Sequence, residues 1–285
     1  MKITLNQLSK YLSLTNPADD QTEPMAISID TRNIKPENPA IYFAIKGAQF
    51  DGHDYIDQAI TNGAEVIVVK KGYSVGKRKS IFLFVEDTEK ALGQVAAGIR
   101  NDSKIPWVGI TGSAGKTTTR RFISDLLSIR HPVLETVSNN NNQIGVPLTI
   151  FNLEENHGFA VIEAGTNHFG EIDYLANILK PDIAVITNIG PTHIEFLENI
   201  EGVAKEKGSL FKHLKQTGKA ILNNETRCVE YLKNIAGKRL ITYGLTSGTV
   251  TSTKVTVKEN SSIVEVEGHP SEIPFKGDHY VSNFL

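Results

Sequence analysis

Apolar residues in this chain fall into two patterns, short continuous runs and stripes at helical spacing, which succeed each other from end to end. Leu5, Leu8, Leu12 and Leu14 form the first stripe and predict a short amphipathic helix. Ile41–Ile45, Val66–Val69 and Ile81–Val85 are runs of strand type. Between the first two, residues Tyr55–Asn62 read as a helix stopped by Gly63. Asp87 or Thr88 caps a further helix through Arg100. The polar stretch Asn101–Lys104 then leads to Pro106 and marks a boundary. Residues 1–103 are therefore expected to form one domain and residues 104–285 another.

From Trp107 onward strand and helix alternate. Strands are predicted over 107–110, 159–163, 183–187, 219–222 and 240–243, with helices around 117–129, 170–179 and 201–214. Such alternation implies an α/β fold with a mostly parallel sheet covered by helices. Val255–Val257 and Ile263–Val266 change to period two and read as an antiparallel hairpin added to that sheet. Three polar segments, Thr111–Thr117, Glu163 and Asn188–His193, follow strand ends. Ligands of parallel sheets sit at that edge, so one active site is expected there.

The segment Thr111-Gly112-Ser113-Ala114-Gly115-Lys116-Thr117 carries the sharpest chemical signal. A glycine-rich bend between strand and helix directs backbone N–H groups at phosphate oxygens, and the helix start adds partial positive charge. Lys116 supplies a full charge, and Thr117 puts a hydroxyl where a phosphate-bound Mg²⁺ would sit. The loop is shorter than the general motif, which has glycine where Ile110 stands. No Asn-Lys-x-Asp guanine signature is present, which argues against a GTPase.

Bulk properties narrow the field. The 285 residues suffice for about two domains, and a net charge of −2 provides no global field for nucleic acid, so phosphate binding must be local. A single Cys228, in a polar helix-like stretch, excludes an intrachain disulfide framework and fits a reducing cytosol. Neither a signal peptide nor an apolar run long enough to span a bilayer is visible. Glu163 ends a buried strand, where a carboxylate can hold Mg²⁺. Lys205 and Lys207 share a helix with Glu201 and Glu206, which by itself reads as a solvated charged face, the account that covers most such lysines. Asn139–Gln143 reads as a polar loop or as a source of amide contacts to substrate.

Six motifs together resemble the Mur ligase family, ATP-dependent amide-forming enzymes of peptidoglycan precursor synthesis. They are Thr-Gly-Ser-Ala-Gly-Lys-Thr-Thr-Thr at 111–119, Asn-Asn-Gln-Ile-Gly-Val-Pro-Leu-Thr at 141–149, Glu-Ala-Gly-Thr-Asn-His at 163–168, Thr-Asn-Ile-Gly-Pro-Thr-His at 187–193, Glu-Lys-Gly-Ser-Leu-Phe at 206–211 and Gly-Asp-His-Tyr-Val-Ser-Asn at 277–283. Ser28–Arg32 and Phe50–Tyr55 resemble the family's UDP-substrate domain, and the branch most similar is the MurF type. The resemblance implies an N-terminal UDP-substrate domain and a central ATPase sheet. It implies joining of D-alanyl-D-alanine to UDP-MurNAc-tripeptide through an acyl phosphate, in the cytoplasm, by a protein expected to be monomeric.

Residue by residue, the resemblance assigns Gly112, Ser113, Gly115, Lys116, Thr117 and Thr118 to ATP and its Mg²⁺. Glu163, His193 and Lys207 complete two Mg²⁺ sites, with Lys207 carrying a carbamate. Lys116, Lys207 and His193 are the expected catalytic groups. His279 and Asn283 fall near the adenine. Asp30, Thr31, Arg32, Asp51, Gly52 and His53 line the UDP-sugar side, and Asn141, Asn142, Thr166 and Asn167 contact substrate. Desolvation and nearby positive charge would favour the neutral Lys207 amine that a carbamate requires. Ala114 replaces a usual Asn, Ser138-Asn139-Asn140 a usual Gly-Asn-x, Ala164 and Thr166 a common Met and Ala, and Tyr280 a frequent Asn. The chain stops at Leu285, inside the helix expected to follow Asn283, so the family's third domain is expected to be absent and the isolated chain weakly active or inactive. The alternatives are a non-catalytic module binding nucleotide or UDP-sugar, and another ligase of the MurE or folylpolyglutamate type.

Overall fold

A computed structural model describes residues 1–14 and 23–285. The chain divides into two compact units, Met1–Ser103 with Ile150–Glu154, and Lys104–Thr149 with Glu155–Leu285.

The first unit is built on β1 (Lys2–Ile3), β2 (Met25–Ser28), β3 (Ala40–Phe43), β4 (Ala64–Lys70) and β5 (Ile81–Val85), with α1 (Leu5–Tyr11), α2 (Ile56–Thr61) and α3 (Thr88–Asp102). The strands lie side by side in chain order; β1 is antiparallel to β2 and the rest are parallel. Val66 to Val69 are all buried, which explains the unbroken apolar run: a parallel strand covered on both faces has no polar side. A Thr4–Gln7 capping box opens α1, which ends before Leu12 and Leu14. Asp87 caps α3 by accepting from the Glu89 and Lys90 N–H groups. The helix predicted from Tyr55 is preceded by a 3-10 turn over Gly52–Tyr55, capped by Asp51.

The second unit contains β6 (Trp107–Thr111), α4 (Lys116–Ser128), β7 (Val133–Glu135), α5 (Gly145–Ile150), β8 (Phe159–Glu163), α6 (Glu171–Leu179), β9 (Ile183–Ile186), α7 (Ile194–Leu197), α8 (Ile200–Lys212), β10 (Lys219–Asn223), α9 (Val229–Ala236), β11 (Leu240–Gly244), β12 (Val250–Val257), β13 (Ser262–Val266), β14 (His269–Ile273) and α10 (Asp278–Phe284). Its nine strands run β14-β13-β12-β11-β10-β9-β6-β8-β7. From β7 to β12 every pairing is parallel, while β13 and β14 are antiparallel. Val108, Ile110, Val161 and Val185 fill one face of the sheet beneath α4. The chain leaves β6 towards β8 and β7 but leaves β9 towards β10. The carboxyl ends of β6 and β9 therefore flank the switch point, where an open α/β sheet forms its crevice.

The expected antiparallel hairpin is present as β12 and β13, pairing Val255 with Val264 and Thr256 with Ile263, and His269–Ile273 adds a third strand beside it. One expectation is corrected. The last helix does not follow Asn283: α10 begins at Asp278, after Gly277 at φ 118°, and Asn283 lies in its final turn. Among the described residues, no helix is long and apolar enough to cross a membrane.

Candidate active site

All five residues of β6 are buried, so the chain emerges from the sheet rigidly placed and turns at Gly112. Gly115 adopts φ 81°, a left-handed conformation, and α4 starts at the next residue. A Cβ on Gly115 would lie 2.2 Å from Asn283 Oδ1 and push that side chain aside, and the left-handed dihedral itself disfavours any side chain. Gly115→Ala is expected to destabilise the second unit by about 1–2 kcal/mol. Thermal unfolding reads this loss, and an unchanged midpoint would contradict the strain.

The loop after β9 holds the bend from the other side. Asn188 Oδ1 accepts the Ala114 N–H at 2.8 Å, and Asn188 O accepts the Ser113 N–H at 3.0 Å. The Thr187 hydroxyl donates to Ala114 O at 2.6 Å, and the Gly190 N–H donates to Ser113 Oγ at 2.9 Å. Two N–H groups of the bend are thus spent on structure. The N–H groups opening α4 have no intrahelical partners and remain for a ligand, half-buried Thr118 among them.

Lys116 Nζ donates to Gly112 O at 3.0 Å. Burial holds this ammonium below the usual lysine range, and the Glu163 charge opposes the shift. The Thr117 hydroxyl donates to Glu163 Oε2 at 2.9 Å, and Asn141 Nδ2 donates to Glu163 Oε1 at 2.9 Å. Glu163 is only 3% exposed, and its N–H donates to Thr136 Oγ1 at 2.9 Å. A buried carboxylate oxygen beside a hydroxyl is a hard-oxygen pair of the kind Mg²⁺ takes, and glycines that exclude a Cβ shape the bend for close backbone approach. The residues present therefore fit nucleotide and metal.

On α8 the structure separates the two lysines. Lys205 and Glu201 are exposed, whereas Lys207 is 2% and Glu206 3% exposed. Burial above all, with the Lys116 charge adding to it and Glu206 opposing, brings the Lys207 pKa down to about 8. Glu206 accepts the Gly170 and Ile172 N–H groups at 2.7 Å each, pinning the start of α6. A solvated face is thus wrong for this half of the helix. The signal for that was present: Lys207 lies three or four residues from Val203, Ala204, Leu210 and Phe211, in the middle of the apolar stripe.

Other expected site residues have mixed positions. His193 is exposed, sits at φ 54° before α7, and its ring makes no hydrogen bond or ion pair with a described residue. Among the described residues no three His, Cys, Asp or Glu side chains gather as a metal cluster. Asn142 Oδ1 accepts the Gly145 N–H at 2.8 Å, so its side chain caps α5. Buried Thr166 donates to His168 O at 2.8 Å, and exposed Asn167 presents its N–H to Glu171 at 2.6 Å. On α10, Asn283 faces Gly115, while exposed His279 tilts against Tyr280 at 4.2 Å. Tyr280 in turn stacks on Phe275.

In the first unit, a cleft of about 510 Å³ is lined by Asp30, Arg32, Tyr42, Gly52, Tyr55 and Gln58. Arg32 pairs with Asp30 at 2.6 Å, which also caps the turn Thr31–Asn33. Thr31 is buried and its carbonyl accepts Asn62 Nδ2 at 2.8 Å. Gly52 O accepts the Tyr42 hydroxyl at 3.0 Å. His53 Nε2 accepts the Lys70 N–H at 3.2 Å, so Nδ1 carries the proton and donates to Asp51 Oδ1 at 2.6 Å. Both ring nitrogens are used within the protein, which makes His53 a fastening of the turn. Phe50, which opens the Phe50–Tyr55 segment but is not among the expected contact residues, is 67% exposed on the cleft wall.

Comparison with known proteins decides the family. The model of the Mur ligase middle domain matches residues 110–285, and that of the Mur ligase family catalytic domain matches residues 25–100. This chain belongs to the Mur ligase family. It is 34% identical to the UDP-N-acetylmuramoyl-tripeptide–D-alanyl-D-alanine ligase of Haemophilus influenzae, over 100% of this chain and 63% of that protein. The crystal structure of MurF from Acinetobacter baumannii superposes with a TM-score of 0.87 at 29% identity, covering 99% of this chain and 63% of that one. MurF from Thermotoga maritima, solved in complex with ADP, gives a TM-score of 0.80 at 27% identity over 91% of this chain and 60% of that one. This Mur ligase chain is thus a MurF homologue that spans just over 60% of the Haemophilus protein's length.

Proposed function

We propose that the chain carries the nucleotide and UDP-substrate sites of a ligase joining UDP-MurNAc-tripeptide to D-alanyl-D-alanine. The observation that carries this reading is the Thr117–Glu163 hydrogen bond beside the Gly112–Lys116 bend, with Lys207 buried on α8. Homology to MurF along the whole chain supports the choice of substrates.

Lys116 and the α4 N–H groups hold the ATP phosphates and offset their charge. Thr117 and Glu163 would hold Mg²⁺, and His193 and a carbamylated Lys207 would serve a second ion; when bound, such ions would supply positive charge at the γ-phosphate that offsets its repulsion of a carboxylate. The peptide carboxylate attacks the γ-phosphorus and ADP leaves; the D-alanyl-D-alanine amine then attacks the acyl carbonyl, loses a proton and expels phosphate. Asn283 and His279 serve the adenine side. The cleft of Asp30 and Arg32 takes the UDP-sugar, with Asp51 and Gly52 shaping it, and Asn142, Thr166 and Asn167 lie on the substrate side of the second unit.

Calorimetric titration tests the reading. ADP with Mg²⁺ and UDP-MurNAc-tripeptide are each expected to bind, and GDP is not. A folded chain that takes up neither ADP nor the UDP-linked peptide overturns the proposal.

A further inference from the structure

Arg120 belongs to none of the motifs considered above, yet it is 8% exposed in the middle of the site. It lies on α4 one turn beyond Lys116 and Thr117, so its side chain leaves the same face of the helix. Its Nη1 donates to Glu135 Oε2 at the end of β7. Its Nε is buried, has no hydrogen-bond partner, and stands 4.0 Å from Glu163 Oε2 at the end of β8. That distance is an ion pair and too long for a hydrogen bond.

Leaving a buried N–H donor unmade is costly, so the arrangement calls for a reason. Glu135 provides it. Anchored there, the guanidinium lends its charge to Glu163 without closing a two-pronged pair on it. A carboxylate locked in a bidentate pair has no oxygen left to give. Glu163 avoids this: Thr117, Asn141 and Arg120 surround it, and lone pairs on its oxygens stay available.

We infer that Arg120, tethered by Glu135, is a positioning residue that keeps Glu163 aimed for the divalent cation. This rests on the reading of Thr117 and Glu163 as holders of Mg²⁺. Metal ligands depend on such outer partners, and loss of one commonly weakens metal affinity about 10–100-fold.

The sign of the effect separates positioning from simple charge. Removing a cation from beside a metal site should, by Coulomb's law alone, strengthen metal binding. Positioning demands the reverse. The experiment measures ADP binding by calorimetry across a Mg²⁺ titration, for the wild-type chain, Arg120→Gln and Arg120→Lys, with thermal unfolding as a check on folding. Arg120→Gln is expected to keep its metal-free ADP affinity and to lose about tenfold in apparent Mg²⁺ affinity. Arg120→Lys, which retains the charge, is expected to lose less, and it carries the test if Arg120→Gln does not fold. Undiminished Mg²⁺ affinity in the folded variants overturns the inference alone. A wild-type chain whose ADP binding ignores Mg²⁺ overturns the metal reading and this inference with it.

Discussion

Lys116→Ala is expected to weaken ADP and ATP binding by about a hundredfold, the equivalent of about 3 kcal/mol for a lost charge-assisted contact to phosphate. The free protein explains why the effect falls on binding rather than on folding. The ammonium is partly desolvated and donates to a carbonyl, Gly112 O at 3.0 Å; burial outweighs the nearby Glu163 charge and holds it below the usual lysine range. Removing it relieves a strained charge, and the melting temperature should hold or rise. Lys116→Arg is expected to fail as well, because a planar fork does not fit where a compact ammonium sits against the bend. Titration calorimetry with ADP and Mg²⁺ reads the loss, and wild-type affinity in a folded Lys116→Ala would remove the bend from the nucleotide site.

Lys207→Ala is expected to cost ligase turnover about a hundredfold or more, while Lys205→Ala leaves it nearly unchanged. The contrast follows from their placement, Lys207 buried at 2% and Lys205 exposed on the next helical face. Equal losses at both positions would end the special role of Lys207. Stability should move the opposite way. An amine lowered from 10.5 to about 8 by burial is a charge the folded state resists. Between those values the unfolded chain binds more protons than the folded one, so stability rises with pH across the window. Below about pH 8 the full penalty, about 3 kcal/mol, is present. In metal-free, CO₂-depleted buffer, Lys207→Met should therefore melt above the wild type at pH 7, and the gap should close as pH approaches 10.5. A gap independent of pH would mean that the Lys207 ammonium is not desolvated.

Much of this site was legible because its signals are local. The sequence 111–117 announces strand, bend and helix within one short segment, and the structure has β6, Gly115 and α4 there. Val66–Val69 reads as a buried parallel strand because a strand covered on both faces has no polar alternation. What failed to show was built from short or composite pieces. Lys2–Ile3 and Val133–Glu135 are strands of two and three residues, too short to carry a period, and exist because neighbours pair with them. His269–Ile273 contains Pro270, which argues against a strand until an edge position makes its missing N–H harmless. Arg120 carries no local signal because its partners, Glu135 and Glu163, approach from two other strands.

By itself the sequence determined the α/β architecture, the parallel order of alternating strands and helices, and the types of group at the strand ends, because periodicity and turn chemistry are properties of neighbours in the chain. The resemblance of its motifs supplied the family. Only the tertiary structure decided which groups meet. Thr117, Asn141 and Glu163 join across the sheet edge, Lys207 turns inward while Lys205 does not, and the His53 ring is used up on Asp51 and Lys70. The reason is physical: a carboxylate's partners and a lysine's hydration depend on distances closed by packing, and no local pattern encodes them.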